Sequence, residues 1–403
     1  MAEETAAAAR EAPAGAAQTT YVQCAACKLK GHKDSILTLD IHHAASLLAS
    51  GSEDKTARVW DLKTGKSVRC MTSFFDSVNS VCFAPNDENT IFVASGPKIH
   101  RFDMRRSEIV LSSCDQEFAF NTEEINQLAL SVNGEYLAAC DDAAEVKVVQ
   151  WEKNRLFKTL RSQHTNICSS LSFRGRSKPW ELITGGLDCQ LVQWDFSKGR
   201  TINVFHQLVE SEGSSGRPLV NPPFVHSVDI HPTYNSLLVA ALESSDLVIY
   251  DLTAAQRVAL LEGHSAAASQ ARFARFDPDR LILSASGVSN DIIIWQSSLL
   301  REQETKTTDT TAPLWTDLLV SQDQSKNERP LTKKSQKRKT GRQQEKKESV
   351  PQPTTRRIEA MTKIAHHEKV NWLCTASYSS CEGTVGNCFV SDQTSTITAF
   401  SLV

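Results

Sequence analysis

Apolar residues along this chain alternate with polar ones in short runs, and the runs come in sets. "SILTLDI" (Ser35 to Ile41) carries the period-two spacing of a half-buried strand. "LLASGSEDKTARVWDLK" (Leu47 to Lys63) then reads as strand, tight polar turn, strand. The same order returns later, with "NICSSLSF" ahead of "LITGGLDCQLVQWDFSK" (Leu182 to Lys198). The pattern predicts an all-β chain of short antiparallel strands.

Aligned, the two copies share two apolar residues, a hydroxyl residue, a glycine, and an aspartate six places before a Trp-Asp pair. A histidine precedes each, His32 ahead of Trp60 and His164 ahead of Trp194. Weaker copies fill the intervals. The second spans Ser77 to Arg105 and has Phe102-Asp103 for Trp-Asp, and the third spans Glu123 to Gln150 without the Trp. A fifth, Phe224 to Leu252, ends in Tyr250-Asp251; a sixth runs from Gly263 to Trp295 with Gly-His restored; a seventh lies in Glu368 to Phe400. Self-similarity of this kind is the mark of a repeat architecture.

The grammar resembles the WD-repeat family of β-propellers. The resemblance implies seven four-stranded blades packed radially, with no long exposed edge. It also implies that His32, Ser50, Asp54 and Trp60 form a hydrogen-bonded chain within one blade, and His164, Thr184, Asp188 and Trp194 in another. Such a chain is physically sound, because a buried imidazole and an indole N–H both need partners. A catalytic reading of the His-Asp pairs lacks a nucleophile at fixed spacing in either copy.

The seventh copy stops after its third strand, which would leave an open edge. "TTYVQCAACKL" (Thr19 to Leu29) lies where the outer strand of a preceding blade belongs, so the first strand is expected to close the last blade. The same stretch contains Cys24, Cys27 and His32 at the spacing of a zinc knuckle. The knuckle needs a further cysteine at position 37, which is Leu37, so Cys24 and Cys27 are read as passengers on a closing strand. No cofactor or metal is expected.

Composition changes this picture little. The 403 residues are 40% hydrophobic and carry a net charge of −3, so no global field recruits nucleic acid. No apolar run approaches the ~18–20 residues of a membrane span. The 11 cysteines, in settings such as "VNSVCFAP", suggest reduced buried thiols and not a disulfide framework. Residues 1–18 are Ala-rich, lack the features of a signal peptide and are expected to be disordered.

Two insertions interrupt the repeat. His206 to Pro223 reads as a long Gly/Ser/Pro loop. Residues 297–357 form a second. Within it Lys326 to Arg357 holds 12 basic and 3 acidic residues, +9 in a chain of −3, with few apolar residues to bury. "KKSQKRK" (Lys333 to Lys339) has the composition of a nuclear import signal, so a cytoplasmic and nuclear location is expected. The domain reading is a tail at 1–18, closing strand and six blades at 19–296, basic insertion at 297–357 and seventh blade at 358–403.

Finer motifs, "HEKVNWL", "VSDQTSTIT", "EEINQLAL" and "HTNICSSLSF", narrow the resemblance to a group similar to substrate receptors of cullin-4 RING ubiquitin ligases. That resemblance implies a monomeric scaffold within a complex, with a ligase adaptor and an unidentified substrate as partners. The adaptor contact it implies is an aromatic or aliphatic residue, Asp, any residue, Arg at the end of a third strand. Phe102, Asp103, Met104 and Arg105 fit, with Arg106 adjacent; Trp60 to Lys63 is a weaker copy. Arginine makes bidentate bonds that lysine cannot, which favours Arg105 over Lys63. An alternative is a general scaffold in a nuclear or ribosome-assembly complex, using Glu53 and Leu187 beside the turn aspartates on the central face. An enzyme is disfavoured, since no phosphate loop, paired metal-spaced histidines or nucleophile motif appears.

Overall fold

The computed structural model describes residues 23–42, 44, 46–206, 222–296, 356–358, 360–377 and 386–402. These residues build seven sheets, each with a core of four antiparallel strands. Blade one shows the plan, from inner to outer strand: Ile36–His42, Leu47–Ser52, Ala57–Asp61 and Lys66–Met71. Each inner strand packs against the next blade's inner strand, and the inner strand of blade seven, Val370–Thr375, packs against that of blade one. The chain is a closed seven-bladed β-propeller.

The latch expected from the sequence is present. Gln23–Lys30 pairs antiparallel with Thr396–Leu402, placing Cys27 opposite Ala399 and Leu29 opposite Ile397. Among the described residues the pairing runs from Gln23; residues 19–22 of the stretch read from the sequence lie outside the described residues. Ring closure leaves seven cores, one between each pair of adjacent blades. The core at the closure joins Leu29, Phe389 and Ile397 of blade seven to Ile36, Leu48 and Trp60 of blade one.

Between blades, the inner strands would present unpaired backbone donors. Side chains of the preceding blade take them up. The Phe83 amide donates to Asp40 Oδ2 at 2.7 Å, that of Leu128 to Ser80 Oγ at 2.9 Å, that of Leu171 to Gln127 Oε1 at 3.1 Å, and that of Phe273 to Asp229 Oδ2 at 2.9 Å. Across the closure, Asn371 Nδ2 donates to the Ile36 carbonyl at 3.0 Å. The short polar residues scattered through otherwise apolar strands therefore seal the inner edges.

One boundary differs from the sequence reading. Ala360–Ala365 pairs with Asp291–Gln296, so it is the outer strand of blade six and not part of blade seven. The long insertion therefore falls inside blade six, between its third and fourth strands. Just before that strand, Arg356–Ile358 pairs in parallel with the outer strand of blade five, Gln256–Glu262. Blade two has a shorter version of this detour. After Lys98–Asp103 the chain lays Val110–Leu111 in parallel along the outer strand of blade one, then returns as its own outer strand, Gln116–Phe118. The expected disordered tail at 1–18, Lys333 to Lys339, and residues 207–221 of the shorter loop lie outside the described residues.

Candidate partner-binding site

The histidines, aspartates and tryptophans singled out from the sequence meet inside single blades. In blade one, His32 Nε2 lies 2.7 Å from Ser50 Oγ and Nδ1 lies 2.9 Å from Asp54 Oδ2. Trp60 Nε1 donates to the same Ser50 oxygen at 2.8 Å. In blade four, His164 Nε2 lies 2.7 Å from Thr184 Oγ1, Nδ1 lies 3.0 Å from Asp188 Oδ2, and Trp194 Nε1 donates to Thr184 Oγ1 at 2.9 Å. Burial alone would raise both carboxyls, but the histidine bonds together with neighbouring backbone N–H bonds, and for Asp54 the Thr56 hydroxyl, outweigh it and hold Asp54 and Asp188 below the usual carboxylate range. The indole also explains the glycine of Gly-His, since a Cβ at Gly31 would come within 2.9 Å of Trp60 Cη2.

This chain of bonds bears on the zinc reading. Both ring nitrogens of His32 are engaged within the blade, so neither is left to ligate a metal. Cys27 sits on the closing strand. The side chain of Cys24 lies outside the described residues.

Other blades solve the same problem differently. In blade six, His264 Nε2 and Trp295 Nε1 meet Ser284 Oγ at 2.6 and 2.7 Å, but no carboxylate follows and His264 Nδ1 is buried without a partner. Burial, assisted by the Lys363 charge, pushes His264 down to about 4. In blades three and seven the aspartate sits two positions earlier in the turn. Asp141 accepts from Asn121 Nδ2, and Asp392 meets His366 Nε2, each at 2.8 Å. In blade two the histidine and tryptophan positions hold Phe74 and Phe102, whose rings meet edge-on at 5.9 Å.

That substitution shapes the surface around Phe102. Its ring is buried, and the following residues leave the sheet at the blade's end. Asp103 accepts from the Arg105 backbone N–H at 2.9 Å and from Arg105 Nε and Nη2 at 2.9 and 2.5 Å. Those bonds hold the Asp103 carboxyl down to about 2. The Arg105 side chain is still 68% exposed, so its guanidinium is aimed by the carboxylate without being covered. Arg106 turns the other way. Its Nη1 donates to the Ser113 carbonyl at 2.7 Å, which ties the two ends of the detour together. Arg69, on the outer strand of blade one, donates from Nη2 to the Met104 and Arg106 carbonyls, both at 3.2 Å. Sequence reading missed Arg69, because no local pattern shows that it faces this turn. The weaker copy is arranged otherwise: Lys63 is exposed, and Asp61 accepts only its backbone N–H, at 2.9 Å, and the Thr64 hydroxyl.

Glu53 and Leu187 occupy equivalent turns, each donating its backbone N–H at 2.9 Å, to the Ser35 and Ile167 carbonyls. Glu53 is exposed and lines a depression of about 500 Å³ with Lys55, Asp76, Ser77, Glu124 and neighbours; Leu187 is half-buried. Among the described residues no group of three or more His, Cys, Asp or Glu is placed to hold a metal ion, and no helix is long and apolar enough to cross a membrane.

Comparison with known proteins agrees with this architecture. The family model for the WD domain, G-beta repeat, matches residues 23–61. That segment combines the closing strand with three strands of blade one, so the family's sequence unit straddles two blades. The chain is 32% identical over 327 residues to WD repeat-containing protein 53 homolog of Dictyostelium discoideum, covering 76% of this chain and 84% of that protein. It is also similar to a ribosome biogenesis protein BOP1 homolog of Aedes aegypti, at 24% identity over 66% of this chain and 34% of the relative. Mitochondrial division protein 1 of Eremothecium gossypii matches at 22% identity over 60% of this chain and 29% of the relative. The chain thus spans about a third of those two relatives. A closed ring of seven blades, the His-hydroxyl-Trp bonds within them and the likeness to WD repeat-containing protein 53 lead to one conclusion: this chain is a scaffold belonging to the WD-repeat family.

Proposed function

We propose that this chain is a non-catalytic substrate receptor that docks the adaptor of a cullin-4 RING ubiquitin ligase through Arg105 and presents a substrate on another face. The observation that carries the reading is the Arg105 side chain, 68% exposed at a blade's end yet oriented by Asp103. A guanidinium held in this way meets a partner's acceptor with less rotamer entropy to lose. Phe102 anchors the turn from inside the core, and Arg106 ties it to Ser113. A cytoplasmic and nuclear location, with Lys333 to Lys339 as the import signal, belongs to the same proposal.

The test is co-precipitation of the ligase adaptor with wild type, Arg105→Ala and Lys63→Ala. Recovery lost with Arg105→Ala and kept with Lys63→Ala supports the contact. Recovery unchanged by Arg105→Ala removes it.

A second reading rests on the depression around Glu53 and on the likeness to a protein named for ribosome biogenesis. Here the scaffold captures its partner on the central face, with no ubiquitin role. Glu53→Lys with Leu187→Asp would then abolish capture while Arg105→Ala leaves it intact.

A further inference from the structure

We infer that Arg272, on the inner strand of blade six, binds a carboxylate in the axial channel of the propeller through the unengaged Nε and Nη2 edge of its guanidinium. This site is separate from the Arg105 turn and goes beyond the docking proposed above.

Register sets out the channel. In blades five, six, seven and one, the fifth residue of the inner strand is Asp229, Arg272, Cys374 and Asp40. Across the ring, in blades two to four, the same position holds the small side chains of Cys82, Ala129 and Ser172. All but Asp229 are half-buried on the innermost strands, so solvent reaches them from the axis.

The Arg272 guanidinium stands in this channel. Its Nη1 donates to Ser227 Oγ and to the Val228 carbonyl of blade five, each at 3.0 Å. Its central carbon lies 5.1 Å from the ring centre of Trp372 in blade seven. A side chain from blade six reaches both neighbours only on the axial side of its own strand. Every hydrogen bond of the guanidinium is made by Nη1; Nε and Nη2 have no partner among the described residues, yet they are not sealed from solvent.

This cation lacks a bonded counter-ion among the described residues. Asp229 is taken by Arg275 Nη2 at 2.6 Å and by the Phe273 N–H at 2.9 Å, and Asp40 by the Phe83 N–H at 2.7 Å. Both carboxylates act on Arg272 from farther away, and burial still pushes the guanidinium below its ordinary value. A cation withdrawn from water without such a partner is costly, and a bound anion offsets that cost.

The open edge selects the anion. Nε and Nη2 form the fork that matches the two oxygens of a carboxylate, and the same two atoms of Arg105 hold Asp103. One fork fits a monoanion, whereas a phosphate dianion would bring a second negative charge beside Asp40 and Asp229. The carboxylate belongs to a free small molecule or to an acidic side chain of a partner; the chemistry at Arg272 is the same.

The experiment titrates acetate, and separately the peptides Gly-Gly-Glu-Gly-Gly and Gly-Gly-Gln-Gly-Gly, into the full-length chain and reads saturation-transfer NMR of each probe. Wild type, Arg272→Gln, Arg272→Lys and Asp40→Asn are compared, with thermal melting of each. The expected result is saturable binding of acetate or the Glu peptide by wild type, at least tenfold weaker in both Arg272 variants. Asp40→Asn, which removes a neighbouring negative charge, should bind about threefold tighter. A preference for the Glu peptide over acetate and over the Gln peptide supports the site with a partner's side chain as its ligand; a preference for acetate supports it with a free carboxylate. If Arg272→Gln fails to fold, Arg272→Lys decides, since it keeps the charge and loses the fork. Absence of saturable wild-type binding of both carboxylate probes overturns the inference, as does binding by Arg272→Lys equal to wild type.

Discussion

Leu29, near one end of the chain, faces Ile397, near the other, across an antiparallel ladder, and both are buried in the core that blade seven shares with blade one. A propeller assembled from one chain must seal its last blade, and this pair is where the seal acquires an apolar core. Leu29→Ala and Ile397→Ala should each destabilise the fold by about 2–5 kcal/mol, the usual range for large-to-small core changes. In urea unfolding the double variant should fall short of the sum of the singles, because contacting residues couple. Full additivity would mean that the two side chains do not share a core.

Ser50 serves two partners at once, His32 Nε2 and Trp60 Nε1. Ser50→Ala orphans both buried groups and should cost about 2–4 kcal/mol. Ser50→Thr should cost much less, because Thr184 makes the same two bonds in blade four. Thermal melting of the two variants side by side separates loss of the bond from a change of volume.

Blade six lacks the carboxylate of this chain. The Val288 N–H meets Ser286 Oγ at 3.3 Å, as the Asp54 N–H meets Ser52 Oγ at 3.1 Å, so Val288 stands where blade one places its aspartate. Val288 is also 69% exposed. Val288→Asp should give His264 Nδ1 its missing partner, raise the histidine's pKa from about 4 and add about 1 kcal/mol of stability. Imidazole titration by NMR reads the first effect and denaturant unfolding the second.

Two sets of carboxyls act on stability in opposite directions as pH changes. Burial would raise Asp54, Asp188 and Asp392, but in each a histidine bond together with neighbouring hydroxyl or backbone N–H bonds outweighs it and holds the carboxyl down. Their contribution is present above the ordinary carboxyl pKa near 4 and is lost as pH falls below it. Asp40 behaves in reverse: burial pushes it up to about 6 despite the backbone bonds and the charges of Arg272 and Arg275. Between about pH 4 and 6 the folded chain holds a proton there that the unfolded chain has released, so this contribution falls as pH rises through that window. Asp40→Asn can still accept from the Phe83 N–H through its amide oxygen. The variant should melt higher than wild type at pH 7.5, with the gap shrinking toward pH 4.5. An unchanged gap would show that Asp40 does not titrate in that window.

Much of this ring was legible in the sequence. Blades one and four carry His, hydroxyl, Asp and Trp at regular spacing, and the unpaired seventh copy pointed to the N-terminal strand as its partner. The sixth blade was read without its outer strand because 59 residues lie between Gln296 and Arg356. A signal was available: His366 stands four residues before Val370, as His32 stands four before Ile36. The strand ahead of such a histidine belongs to the preceding blade. Asp141 and Asp392 escaped notice because they reach their partners from a turn position where blade one has Ser52. Arg69 and the stapled detour were invisible in one dimension, since they act through tertiary contacts between two blades.

The central claim is that the two chain ends share one sheet, and native-state hydrogen exchange read by mass spectrometry tests it most directly. Peptides covering Gln23–Lys30 and Thr396–Leu402 should exchange together, as slowly as those of the inner strands. Rapid exchange of Gln23–Lys30 beside a protected Thr396–Leu402 would contradict the latch and the closed ring built on it.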